Sequence, residues 1–336
     1  MSAIILDGKT LAAKIRRDIG RETAPLKEKY SRGPGLATVL VGEDPASAIY
    51  VRNKIKACSE AGLATFDHKL AQDTPENELL RILDDLNAND QVDGILLQLP
   101  LPKHINTPKA VGRIKTEKDV DGFGPENFGK LYQAKSISEL DDIFIPCTPQ
   151  GILRLIELAG VSIAGKFACV IGRSNIVGKP IAHLLMLSNA TTVICHTKTG
   201  NLNELAAMAD IIVSATGRLH NVTASMVKNG ACVIDVGMNR KPDGKLAGDC
   251  DFDDIKEKAG SITPVPGGVG PMTIAMLLSN TLKAFKHANC PGHCEGKAQG
   301  SPKGQSCAKT AKQSRVFPRG TGQDQKYEGL KQQEKT

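Results

Sequence analysis

The sequence predicts an α/β protein of two lobes, each a parallel-sheet αβα domain, with a cleft between them. Three observations carry that reading. Along residues 1–286, short β-branched or apolar runs alternate with longer amphipathic stretches, the pattern of βαβ units. The alternation runs twice, before and after the prolines Pro146 and Pro149. The chain's 336 residues also suit two domains at roughly 100–200 residues each.

Each element follows from local chemistry. Leu11, Ile15 and Ile19 recur four apart among charged residues, so a helix with one apolar stripe is expected over 7–30. Residues 36–41 (LATVLV) read as a buried strand closed by Gly42. A helix over 45–61 stops at Gly62, followed by a strand near 64–70, a helix near 76–87 and a strand over 92–97. Pro146 and Pro149 flank an extended step before a helix over 150–158. Strands are then expected near 168–171, 192–195, 211–214, 231–235 and 261–265, with a last helix behind them. The lobes are expected as 1–146 plus 272–288, and 147–271. From 289 to 336 the chain is rich in Gly, Ser, Gln, Lys and Pro and poor in large apolar residues. It cannot offset its chain entropy by burial and is expected to be disordered.

Charge and cysteine usage exclude several classes. The net charge is +7, but residues 287–336 hold nine Lys/Arg and four Asp/Glu, leaving 34 against 32 in the rest. The folded part therefore offers no basic face for nucleic acid or membrane. With no Trp and 4% aromatics, a base-stacking platform is not expected. No run approaches the roughly 18 apolar residues of a membrane span, and the start has no basic-then-apolar leader, so a cytoplasmic protein is expected. Nine scattered cysteines suit reduced thiols rather than a disulfide framework. His287, Cys290, His293 and Cys294 lack the second CxxC-like pair of a structural zinc site, and no metal is expected.

Five segments carry candidate chemistry. In 170–180 (VIGRSNIVGKP) a strand runs into a turn with Gly172 and Gly178, then a helix. Glycines admit a phosphate close to the backbone, and a helix N-terminus offers N–H donors. Folds that select NAD place an acid about 20 residues further on. Here that strand end reads His196-Thr197-Lys198-Thr199, so a 2′-phosphate is expected, with Arg173 adding a planar guanidinium. The second lobe thus reads as a Rossmann-type NADP-binding domain. Tyr50 and Lys54, four apart, share a helix face; they suit either stacking and proton transfer or an ordinary surface pair. Gln98 ends an apolar strand ahead of Leu99, Pro100 and Pro102, where α/β sheets hold ligand groups. Asp121, in Lys118-Asp119-Val120-Asp121-Gly122-Phe123, can accept two bonds from a guanidine-like edge or cap a turn. The fifth is the loop Pro264 to Thr273, rigid through its prolines and closely approachable through its glycines.

These five motifs, in this order over residues 1–286, resemble the bifunctional 5,10-methylenetetrahydrofolate dehydrogenase/5,10-methenyltetrahydrofolate cyclohydrolase family. The resemblance implies NADP-dependent oxidation of the methylene bridge, then hydrolysis to 10-formyltetrahydrofolate, supplying purine, methionine and histidine synthesis. It implies Lys54 as the catalytic group, tuned by Gln98. Tyr50 would stack on the folate and Asp121 would grip the pterin edge. It further implies Leu99, Pro100, Pro266, Gly267, Gly268, Val269 and Gly270 against the substrate. Gly172, Arg173, Ser174, Thr197 and Met238 would line the cofactor, in a homodimer formed through the cofactor lobe. Thr197 stands where the family often has Ser, and Met238 where it often has Ile. Two alternatives stay open: another NADP oxidoreductase on the same scaffold, or a non-catalytic binding protein whose basic tail engages an acidic partner.

Overall fold

The structure, a computed structural model, describes residues 2–43 and 45–289, the side chains of 45–50 excepted. The expectations for a disordered tail and for Cys290, His293 and Cys294 lie outside the described residues.

The first lobe holds α1 (Gly8–Tyr30), β2 (Gly35–Val41), α2 (Pro45–Glu60), β3 (Ala64–Leu70), α3 (Glu76–Ala88), β4 (Gly94–Leu97), α4 (Thr107–Arg113) and α5 (Pro125–Gln133), after an initial strand β1 (Ile4–Ile5). Its sheet is parallel, in the order β3-β2-β4. Every residue of β2 and β4 is buried, as a parallel sheet covered on both faces requires. Ala37, Val39, Ile95 and Leu97 pack on one face against Leu79, Leu83 and Leu86 of α3 and Ala110 of α4. Of the stripe expected on α1, Ile19 is buried and Leu11 and Ile15 are half-buried, with Ala12 and Thr23 completing the buried face, and the Asp7 carboxylate caps its start by accepting from Thr10 N.

The second lobe follows α6 (Cys147–Leu158). It holds β5 (Phe167–Ile171), α7 (Gly178–Leu187), β6 (Thr191–Cys195), α8 (Leu202–Met208), β7 (Ile211–Ser214), β8 (Cys232–Asp235), the two-stranded antiparallel β9 (Asn239–Arg240) and β10 (Leu246–Ala247), α9 (Phe252–Ile255) and β11 (Ser261–Ile262). The chain ends its described part in α10 (Val269–Asn289). The main sheet is parallel, in the order β1-β11-β8-β7-β5-β6. No described helix is long and apolar enough to cross a membrane.

Three features differ from the sequence reading. Residues 1–146 were assigned to the first lobe, yet Ile4 and Ile5 pair with Ser261 and Ile262 and extend the second lobe's sheet; two residues are too short for periodicity to reveal. The strand expected over 261–265 stops at Ile262, because Pro264 and Pro266 have no N–H to continue a ladder. The last helix begins at Val269, inside the segment 264–273 read as a loop. It packs on α1 and α6 and reaches β2 and β4.

Candidate active site

The first cluster forms where β4 ends. Gln98 N donates to Val39 O at 2.9 Å, carrying the β2–β4 ladder one residue past the strand. The Gln98 amide then locks its own orientation: Nε2 donates to Leu99 O at 2.7 Å. That turns Oε1 toward α2, where Lys54 Nζ donates to it at 3.1 Å. Lys54 is only 8% exposed, so the surface-pair reading fails for it; a buried ammonium needs such partners. The side chain of Tyr50 lies outside the described residues. Leu99 is half-buried and Pro100 exposed, joined by a cis peptide bond.

The acidic loop divides two tasks between two carboxylates. Asp119 does the capping: it accepts from Phe123 N, Gly124 N and Asn127 Nδ2 at 3.2, 2.8 and 2.8 Å. Asp121 is left to face the cluster. Burial pushes its carboxyl up, while the Lys54 charge and a hydrogen bond from the Cys147 thiol pull it back. Cys147, which opens α6, was read from sequence only as a boundary residue. It is 1% exposed, and its Sγ lies 3.4 Å from Val120 O. Buried Asn280 of α10 was missed altogether; its Nδ2 donates to Val120 O at 2.8 Å and Ile145 O at 3.1 Å. No local pattern marks a lone polar residue in an apolar helix as functional, but its flanking leucines signal burial.

Burial also pushes Asp119 up to about 6, against the pull of its donors. The folded chain therefore keeps a proton that the unfolded chain, titrating near 3.8, has released. This group's contribution to stability is full below the unfolded value and is lost as pH rises through 6. A carboxyl-carbon NMR titration of Asp119 should show a midpoint near 6; one below 4 contradicts the assignment.

The second set stands at the carboxyl ends of β5, β6 and β8. Gly172 has φ +128°, and a Cβ there would strike Ala215 O, so this turn runs against the β7 loop as only glycine allows. The helix N-terminus is less open than the sequence suggests. Ser174 Oγ accepts from Val177 N and Gly178 N at 3.2 and 3.3 Å, which caps α7 internally, while its hydroxyl proton stays free to donate. Ile171 pairs with Cys195, and Gly172 N donates to Cys195 O at 2.9 Å, so Arg173 and Thr197 leave adjacent strand ends, both exposed. No carboxylate ends β6. The next turn is polar, with Lys198 N donating to His196 Nδ1 at 3.1 Å. Met238, beyond β8, is 47% exposed. A glycine turn against its neighbour loop, with a guanidinium and hydroxyls and no acid, fits a dinucleotide carrying a 2′-phosphate.

Two links tie these sets together. Helix α6, whose Cys147 touches Asp121, packs on α7. The loop bearing Pro266, Gly267, Gly268, Val269 and Gly270 enters α10 and is held to the start of α1, where Lys9 N donates to Gly267 O at 2.9 Å. Within it Gly268 and Val269 are buried and Pro266 is exposed. Where α10 and α6 meet, the Thr148 and Thr273 hydroxyls are 2.9 Å apart.

Fold and site together define a two-lobed α/β enzyme of the dinucleotide-dependent dehydrogenase class. The chain belongs to the tetrahydrofolate dehydrogenase/cyclohydrolase family, whose catalytic domain matches residues 6–121 and whose NAD(P)-binding domain matches 146–289. It is 51% identical over 287 residues to a bifunctional FolD protein of Magnetococcus marinus, covering 85% of this chain and 99% of that one. Among solved structures it is similar to the bifunctional FolD dehydrogenase/cyclohydrolase of Campylobacter jejuni (44% identity, 85% and 100% of the two chains, TM-score 0.82). It is equally similar in fold to the Trypanosoma brucei enzyme complexed with NADP cofactor and inhibitor (38% identity, 86% and 99% of the two chains, TM-score 0.82).

Proposed function

We propose that the chain oxidises 5,10-methylenetetrahydrofolate with NADP and hydrolyses the resulting 5,10-methenyltetrahydrofolate to 10-formyltetrahydrofolate. The observation that carries this reading is the buried Lys54, bonded to Gln98 and acting through its charge on the Asp121 carboxyl. Gly172, Arg173, Ser174, Thr197 and Met238 would hold NADP, which when bound would supply the hydride acceptor for the first step.

The chain's own groups do the rest. Asp121 accepts N–H donors from the guanidine-like edge of the pterin, fixing the ring. Tyr50, one turn before Lys54, stacks on the folate. Leu99, Pro100, Pro266, Gly267, Gly268, Val269 and Gly270 border it and exclude stray water. Orientation is the main contribution to oxidation. In hydrolysis, water adds to the amidinium carbon and loses a proton. The bond from that carbon to N5 then breaks as N5 takes a proton and the added hydroxyl gives up its own to become the formyl carbonyl, so one proton is released overall. Lys54 carries these protons, and Gln98 Oε1 keeps its Nζ aimed. The protein is read as a cytoplasmic homodimer through the cofactor lobe; the position of β6 at the sheet's end and the 39% exposure of its Ile194 support that surface.

Absorbance of the reduced nicotinamide tests the reading directly, with the methylene substrate and either NADP or NAD. NADP should be preferred. Arg173→Ala should raise the KM for NADP by about 10- to 100-fold, the loss of charge-assisted bonds, with little change for NAD. Equal effects on both dinucleotides would remove Arg173 from the 2′-phosphate.

A further inference from the structure

Strand β5 pairs with β6 on one edge and β7 on the other, so the chain reverses direction across the sheet there. Open α/β sheets form their ligand crevice at such a point. One wall of this crevice is the Gly172 turn; the other is the loop after β7, residues 215–218, which the Gly172 backbone touches at Ala215 O. The position of that second wall depends on one buried carboxylate from a distant segment.

Asp249, 0% exposed, receives five donors. Its Oδ2 accepts from Thr216 N at 2.6 Å, Gly217 N at 3.2 Å and Ser214 Oγ at 3.3 Å. Its Oδ1 accepts from Arg218 N at 3.0 Å and Asn239 Nδ2 at 2.9 Å. Three successive amides converging on one anion form a nest, and here the anion belongs to the protein. Asp249 is in turn held in place: Asp235, at the end of β8, accepts Asp249 N at 2.9 Å, Cys250 N at 2.9 Å and Gly237 N at 2.8 Å. The approach is so close that a Cβ at Gly248 would collide with the Asp235 carboxylate.

We infer that Asp249 is a positioning residue for dinucleotide binding, its carboxylate holding the amides of Thr216, Gly217 and Arg218 so that the crevice beside Gly172 is formed before the cofactor arrives. This rests on the proposed function. It predicts that loss of the carboxylate weakens cofactor affinity and leaves the folate chemistry on the other lobe intact. An amide in its place is a poor substitute, since its NH2 opposes N–H donors rather than accepting from them.

The test uses the full-length chain with Asp249→Asn. NADPH fluorescence titration should show the dissociation constant raised by at least about tenfold, as expected for hydrogen bonds to a charged group. Amide hydrogen exchange over 214–219 should be faster in the free variant. The KM for NADP should rise with the dehydrogenase kcat within about twofold, and hydrolysis of the methenyl substrate should also stay within about twofold. If that variant does not fold, Asn239→Ala, which removes one donor, should weaken NADPH by about two- to fivefold, the loss of a single hydrogen bond. Unchanged NADPH affinity in the variant used overturns the inference, as does an equal loss of both activities. A wild-type chain that fails to bind NADPH overturns the proposed function as well; a wild-type chain that binds it, beside an unaffected variant, overturns the inference alone.

Discussion

Lys54→Met should abolish hydrolysis of the methenyl substrate, by on the order of 1,000-fold, while the chain stays folded. A positioned proton carrier is worth 10²–10⁴-fold, and no other amine is hydrogen-bonded to Gln98 among the described residues. Methionine is one atom shorter than lysine but keeps its unbranched apolar stem, so it fills most of the same space on α2. What it lacks is the charge. Gln98 Oε1 then loses its donor, and the Asp121 carboxyl, which the Lys54 charge pulls down, is left to burial and moves further up. Folate binding should weaken with it, yet hydride transfer depends on orientation rather than on the amine. The expected signature is therefore residual dehydrogenase activity without cyclohydrolase activity, with an unfolding temperature close to that of the unmodified chain. Hydrolysis at the wild-type rate would remove Lys54 from the mechanism.

The largest loss of stability should come from the opposite end of the first lobe's sheet. Asp93, 5% exposed, accepts hydrogen bonds from the two terminal guanidinium nitrogens of Arg32 at 2.7 and 3.0 Å and from Gly35 N at 2.8 Å. The same guanidinium lies over the Phe285 ring, 4.7 Å from its centroid, so one carboxylate joins the entry to β2, the entry to β4 and α10. Removing one partner of such a buried pair costs about 3–5 kcal/mol. The Arg32 side chain keeps 20% exposure, so Asp93→Ala should fall at the lower end, about 3 kcal/mol. Asp93→Asn, which retains one acceptor, should lose roughly half as much. Urea unfolding measures both; a loss below about 1 kcal/mol for the alanine variant would show the pair to be poorly formed in solution.

What the amino-acid order disclosed, and what it hid, follows from the range of the interactions involved. Residues 36–41 and 211–214 are almost wholly apolar, interrupted only by Thr38 and Ser214, and both are buried strands, because burial on both faces leaves its mark along the run. Lys54 and Gln98 stood out through the motifs around them, though nothing local says that their side chains meet across 44 positions. The acidic loop shows the limit more sharply. Asp119 and Asp121 are two residues apart and chemically alike, and only the placement of the Phe123 and Gly124 amides makes one a cap and frees the other. Asp249 was invisible for the same reason: its donors are mostly backbone amides more than 30 positions away, and an amide carries no residue-type signal. Strand β1 was hidden by brevity, since its pairing partner lies at Ser261 and Ile262.

The interleaving of the two ends of the described chain has a consequence for biogenesis. The opening strand belongs to the sheet built by the later half, and the closing helix α10 covers α1 and the sheet built by the earlier half. Neither half is thus a self-sufficient folding unit. A nascent polypeptide would then have to expose α10 from the ribosome before its first half could seal its interior, and a product cut short at residue 260 would leave both halves open to proteolysis.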